Sequence, residues 1–107
     1  RRCAVALFKS ALEFQAEFLR CLGDQTRLRI VKALMEREKT VSQLVQELQS
    51  SQANISGHLK TLKNNGILKS RQQGKYVYYS LDEDIEELLT YLENRILSLR
   101  RKAFEGA

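Results

Sequence analysis

From Leu48 to Leu81 the chain carries no aspartate or glutamate, yet it carries Lys60, Lys63, Lys69, Arg71 and Lys75. Residues 49–81 read as a short polar-capped helix, a glycine break and a basic two-stranded hairpin with Gly74 at its tip. That order is the layout of a winged helix-turn-helix. The expected fold is therefore mainly α (α+β), with a two-stranded β-hairpin wing. A helix and wing bearing only positive charge suit a polyanion, and duplex DNA is the obvious one.

The 107 residues are enough for a single domain, 1–107, with one core. Charge is unevenly spread. Residues 1–81 hold 14 basic and 6 acidic side chains and residues 82–107 hold 4 and 7, which makes +8 and −3. The tail is therefore not part of the basic face. No proline, linker, low-complexity tract or internal repeat divides the chain. No apolar run approaches the ~18 residues of a membrane span, so no membrane partner is expected. No signal peptide is visible, and the two cysteines, Cys3 and Cys21, do not make a secreted disulfide scaffold. A reducing, cytoplasmic setting is the expectation. No carboxylate pair is backed by a histidine and no glycine-rich phosphate loop occurs, which argues against an enzyme and against a cofactor.

Apolar residues recur at helical period over residues 3–21, through Leu7, Phe8, Leu12, Phe14 and Phe18. Gly23 interrupts, and Asp24 can cap a second helix over 25–36. Thr40 and Gln43 have capping-box spacing for a third helix, whose apolar face is Val41, Leu44, Val45 and Leu48. Ser51 is placed to cap the fourth. Its Ile55, Leu59 and Leu62 seat one face in the core, while Gln52, Ala53, Ser56, Gly57, Lys60 and Lys63 form a polar, nearly flat outer face. Asn65 and Gly66 end it. A first wing strand is expected over Leu68–Arg71, a turn over Gln72–Lys75 and a second strand over Tyr76–Leu81.

Asp82 caps a last helix over roughly 83–101, with Glu83, Asp84, Glu86 and Glu87 at its positive end and Arg100, Arg101 and Lys102 at its negative end. Its stripe is Ile85, Leu88, Leu89, Leu92, Ile96 and Leu99. The first and last helices are too apolar for so small a core to absorb. They are expected to form the dimer interface of a homodimer.

Three stretches together resemble the ArsR/SmtB family of small dimeric winged-helix repressors. FLRCLGDQTRLRIVKAL, Phe18 to Leu34, is similar to the family's segment opening the second helix. QANISGHLKTLKNNGILKSR, Gln52 to Arg71, resembles its recognition helix, with the Ser-x-His-Leu core at Ser56, His58 and Leu59. GKYVYYSL, Gly74 to Leu81, resembles its wing. The resemblance implies transcriptional repression: a dimer on an imperfect palindrome over a promoter, released by an inducer that is often a metal or an oxidant.

A recognition helix reads base edges with polar side chains near its N-terminus, and Gln52, Asn54 and Ser56 fit that role. Lys60, Lys63 and Arg71 suit phosphates, which position without specifying, and Lys75 at the wing tip suits a backbone or minor-groove contact. Ser51 and Asn54 can also act as caps. His58, the single histidine, cannot build a histidine-rich metal site and suits a packing or phosphate role. The resemblance makes Arg27 structural.

The same resemblance locates where sensing residues would stand. Thr40 and Ser42 occupy the places of the two cysteines of the family's third-helix metal sensors, and hydroxyls are poor ligands for soft metals. Asp82, Asp84, Arg95 and Ser98 occupy the places of its last-helix zinc ligands, and Arg95 would repel a cation. Neither usual metal site is expected. Cys3 and Cys21 remain as possible sensing residues, either for oxidation or persulfidation or for a metal or metalloid, or both are unreactive, and inducer-free control stays open. The competing class is a winged-helix protein-interaction module, against which the acid-free stretch speaks.

Overall fold

The computed structural model describes residues 10–105. Helices α1 (Ala11–Leu22), α2 (Gln25–Glu36), α3 (Val41–Leu48) and α4 (Gln52–Asn64) lead into strands β1 (Leu68–Gln73) and β2 (Tyr76–Leu81), and helix α5 (Glu83–Glu105) closes the chain. This is a winged helix-turn-helix: α3 and α4 are joined by the tight turn at Gln49–Ser51, and β1 and β2 form the wing.

Local chemistry sets most boundaries. The Asp24 carboxylate accepts the Arg27 N–H at 3.0 Å at the start of α2. Thr40 and Gln43 close a reciprocal capping box, with Gln43 N–H to Thr40 Oγ1 at 3.2 Å and Thr40 N–H to Gln43 Oε1 at 2.8 Å. Ser51 Oγ accepts the Asn54 N–H at 3.1 Å. After α4 the chain turns through Gly66 at φ 76°, and the Ile67 N–H returns to the Leu62 carbonyl at 3.0 Å.

Three boundaries differ from expectation, the last helix running on to Glu105 rather than to roughly 101. The first helix, expected over 3–21, begins within the described residues at Ala11. Ser10 is extended (φ −74°, ψ 162°) and makes its own capping box with Glu13, which starts a helix there and cannot lie inside one. Residues 3–9 of that expected helix lie outside the described residues. Strand β1 runs to Gln73, two residues further than expected. The positive φ of Gly74 (62°) lets a two-residue Gly74–Lys75 turn carry the ladder out to the Gln73–Tyr76 pair.

The core lies under the recognition helix. Ile30, Val31 and Leu34 of α2 meet Leu44 of α3, Ile55, Leu59 and Leu62 of α4, and Ile67, Leu68 and Leu81 at the wing's base. All are buried. The last helix is different: of its expected stripe only Ile85 and Leu89 are buried, while Leu88, Leu92, Ile96 and Leu99 are each more than 40% exposed. On α1, Leu12, Phe14 and Leu19 are likewise exposed.

Between α2 and α3, Lys39 forms a one-residue third strand. Its N–H donates to the Tyr79 carbonyl at 3.0 Å and the Tyr79 N–H donates to its carbonyl at 2.8 Å. The Lys39 side chain is 1% exposed, the single buried charged group among the described residues. Its ammonium donates to Glu47 Oε1 at 2.7 Å, Glu47 Oε2 at 2.9 Å and Glu36 Oε1 at 3.1 Å. Burial alone would lower its pKa. The hydrogen bonds and charges of Glu47 and Glu36 outweigh that and raise it, so Lys39 stays protonated.

Candidate nucleic-acid interface

On α4 the period of the sequence separates two faces cleanly. Ile55, Leu59 and Leu62 point inward, and Gln52, Ala53, Asn54, Ser56, Gly57, Lys60 and Lys63 are all exposed. The outer face therefore presents amides, a hydroxyl and two ammonium groups with no carboxylate. Lys60 projects without an ion pair or hydrogen bond among the described residues. Lys63 donates to Ser70 Oγ at 2.7 Å, which ties the end of α4 to β1. Asn54 Nδ2 donates to Ser50 Oγ at 2.8 Å, leaving its amide oxygen outward. A Cβ added at Gly57 would meet no atom within 4 Å. Nothing inside the protein requires glycine there.

The wing places Lys75 at its tip, with its ammonium 5.4 Å from the centre of the Tyr76 ring. Lys69 lies 3.9 Å from Asp82. Arg71 is engaged more fully. Its Nε donates to Glu38 Oε2 at 2.9 Å, its Nη2 to Glu38 Oε1, and its Nη1 to Gln73 Oε1 at 2.6 Å, while its guanidinium sits 4.8 Å from the Tyr78 ring centre. The hydrogen bonds from Arg71 hold the Glu38 carboxyl below the usual carboxylate range. Glu38 and Lys39 were not singled out by the sequence. Glu38 meets Arg71 33 residues away and Lys39 meets Tyr79 40 residues away, contacts that no local pattern marks.

Behind the recognition helix, Arg27 joins three elements. Its Nε donates to the Cys21 carbonyl at 2.6 Å and its backbone N–H caps onto Asp24, which holds the Asp24 carboxyl low. Its Nη1 lies 3.3 Å from His58 Nδ1. A guanidinium can only donate, so a hydrogen bond here is accepted by Nδ1. His58 is half-buried and packed, at the edge of the helix face that carries Ser56 and Lys60.

Cys21 is 4% exposed, and its thiol lies 3.8 Å from the Thr61 carbonyl. Burial pushes its pKa up against the opposing pull of Arg27, so it is held as the thiol rather than the reactive thiolate. Cys3 lies outside the described residues. Thr40 spends its hydroxyl on a helix cap. Among the described residues no three His, Cys, Asp or Glu side chains cluster as a metal site would need.

Residues 24–70 match the model described as "Bacterial regulatory protein, arsR family". A cadmium resistance transcriptional regulatory protein CadC homolog of Staphylococcus aureus is 40% identical over 92 residues, 85% of this chain and 74% of its own length. The chain belongs to the arsR family. The crystal structure of Rv0081 from Mycobacterium tuberculosis superposes on this ArsR-family chain with a TM-score of 0.77 at 32% identity, covering 86% of this chain and 98% of that one. A homodimeric winged helix-turn-helix DNA-binding domain from Mycobacterium bovis has the same fold, with a TM-score of 0.76 at 22% identity over 94% of both chains. As an ArsR-family member the chain is a transcriptional regulator with a winged helix-turn-helix DNA-binding fold, and not an enzyme. No helix among the described residues is long and apolar enough to cross a membrane.

Proposed function

We propose that this chain is a homodimeric repressor that binds a palindromic operator in a promoter. The observation that carries the proposal is the acid-free, wholly exposed outer face of α4 beside the Lys75 wing tip. Gln52, Asn54 and Ser56 take the base edges, Gln and Asn through paired donor and acceptor groups. Lys60, Lys63 and Lys75 take phosphates, and Gly57 and Ala53 let the helix lie close to the groove. His58 supports the helix from behind through Arg27. Arg71, also expected on phosphate, is the member of the set that is already ion-paired, to Glu38.

A second copy of the chain completes the molecule. Leu88, Leu92, Ile96 and Leu99 of α5 and Leu12 and Leu19 of α1 are large apolar side chains left in water by the single chain. Leu92 and Ile96 also line a groove of about 380 Å³ between α2 and α5, together with Leu28, Val31 and Met35. Packing these helices across a two-fold axis buries them and sets two recognition helices against two half-sites.

The burial of Cys21 counts against a switch at that thiol, so we place control of the repressor elsewhere. It lies at Cys3, at another ligand, or in the abundance of the protein.

The test is fluorescence anisotropy of the reduced protein on duplex DNA from its own upstream promoter. If the dimer makes six to ten phosphate contacts, affinity falls by roughly 10³–10⁵ between 50 and 200 mM salt. Tight binding that resists salt, or no binding at all, would rule out the proposed interface. Repeating the titration after mild oxidation and after polysulfide treatment tests the cysteines. Release that Cys21→Ser abolishes would overturn the assignment of Cys21 as an inert core thiol.

A further inference from the structure

We propose that Glu38 limits the DNA affinity of the wing by keeping Arg71 bound within the protein instead of leaving it to a phosphate. The proposal rests on the basic-face assignment made above and adds to it a residue that opposes binding.

Three observations bear on it. First, the backbone at residue 38 is held in place. Its neighbour Lys39 is paired with Tyr79 on both its N–H and its carbonyl, and the buried Lys39 ammonium is fixed between Glu36 and Glu47. Second, the Nε–Nη2 fork edge of the Arg71 guanidinium is taken, although the side chain is half exposed. Two of its nitrogens donate to the two Glu38 oxygens, the third donates to Gln73, and the Tyr78 ring lies against it. A fork-on-carboxylate pair uses the same geometry that Arg would offer a phosphate, so one excludes the other. Third, Glu38 is ionised at neutral pH, because Arg71 holds its carboxyl low. A phosphate that captured Arg71 would therefore leave a bare carboxylate beside the DNA backbone. The exchange trades one ion pair for another and adds a like-charge contact.

The acid-free run from Leu48 to Leu81 is thus answered in space by an acid from outside it. Arg71 braces the wing, and the phosphate set is Lys60, Lys63 and Lys75.

The test is the salt dependence of binding to a fluorescein-labelled duplex of mixed sequence, where the slope of log K against log salt counts phosphates at about −0.9 for each. Wild type and Arg71→Gln are expected to share one slope. Glu38→Gln, and equally Glu38→Ala, frees Arg71 and steepens the slope by about one for each protomer. The double variant Glu38→Gln/Arg71→Gln returns to the wild-type slope, a reversal that a general loosening of the wing would not produce. Two results would overturn the proposal while leaving the basic face standing. One is a flatter slope for Arg71→Gln alone. The other is an unchanged slope for Glu38→Gln in a protein where Lys60→Gln flattens it. A slope unmoved by Lys60→Gln would overturn the basic-face assignment itself, and this proposal with it.

Discussion

The helix-turn-helix with its wing and the two outer helices solve the same packing problem to different degrees. In α4 every apolar residue of the inner stripe is buried and everything left outside is polar or small. In α5 a stripe of similar regularity has only Ile85 and Leu89 buried, and its other members stay in water. The inner body is complete as a single chain, so its exposed surface is free to seek a polyanion. The outer helices are incomplete, and what they lack is apolar surface. One chain thus presents two faces of opposite chemistry, one basic and one apolar, which we have proposed for nucleic acid and for a second copy.

The sharpest way to separate the two faces is to charge the apolar one. Leu92→Glu should dissociate the dimer. Each Leu buried across the interface contributes roughly 1.5–3 kcal/mol, and a two-fold axis uses it twice, so the dimer Kd should rise by roughly 10²–10⁴. Analytical ultracentrifugation reads this directly, while the melting temperature of the chain changes little. The complementary change is Lys60→Glu. It should weaken DNA binding roughly ten- to a hundredfold at moderate salt, flatten the salt slope, and leave the dimer intact. If Lys60→Glu broke the dimer instead, the two faces would not be independent.

The claim that the inner body stands alone can be tested at Lys39. Glu47→Gln leaves a buried ammonium without its bidentate partner. It should cost about 1–3 kcal/mol, less than for a fully buried pair because Glu47 is 42% exposed. Lys39→Met replaces the buried charge with an apolar chain of similar length and should cost less than about 1 kcal/mol. Urea denaturation ranks the two, and the reverse order would mean that the ion pair itself stabilises the fold.

Gly57→Ala should separate folding from binding by a smaller amount. Removing a mid-helix glycine should add about 0.5–1 kcal/mol of stability, since the new methyl meets nothing. DNA affinity should fall if the helix lies as close to the groove as proposed.

The smallest effect is expected with pH. The folded-state pKa values of Asp24 and Glu38 lie below their unfolded values. Their contributions are therefore fully present above the ordinary carboxylate range and are lost as pH falls through the folded values. Thermal melts should show stability declining on acidification, and less so in Asp24→Asn, whose amide can still cap α2.

How far each element could be read in advance follows the range of the forces that make it. The caps at Asp24, Thr40 and Ser51 were legible because a cap joins residues three apart. The inner face of α4 was legible because three apolar residues at helical spacing have one side to share. The extra length of β1 was not, because strand pairing depends on the opposite strand. Nor was the start of α1 at Ala11, where an apolar period running on from residue 3 masked the capping box of Ser10 with Glu13. The α5 stripe could be listed residue by residue, but its angle against α2 decides which members reach the core.

Sequence by itself determined the kinds of element, their order, and a recognition helix with one apolar and one basic face. These depend on period, cap chemistry and turn residues, all of which act over a few positions. Only the tertiary structure decided which charges remain available. Lys39 disappears between Glu36 and Glu47, and Arg71 is taken by Glu38, 33 residues earlier in the chain. Charge counted along a chain is blind to such pairs, because a Coulomb contact is made by distance in space, and that distance exists only after folding.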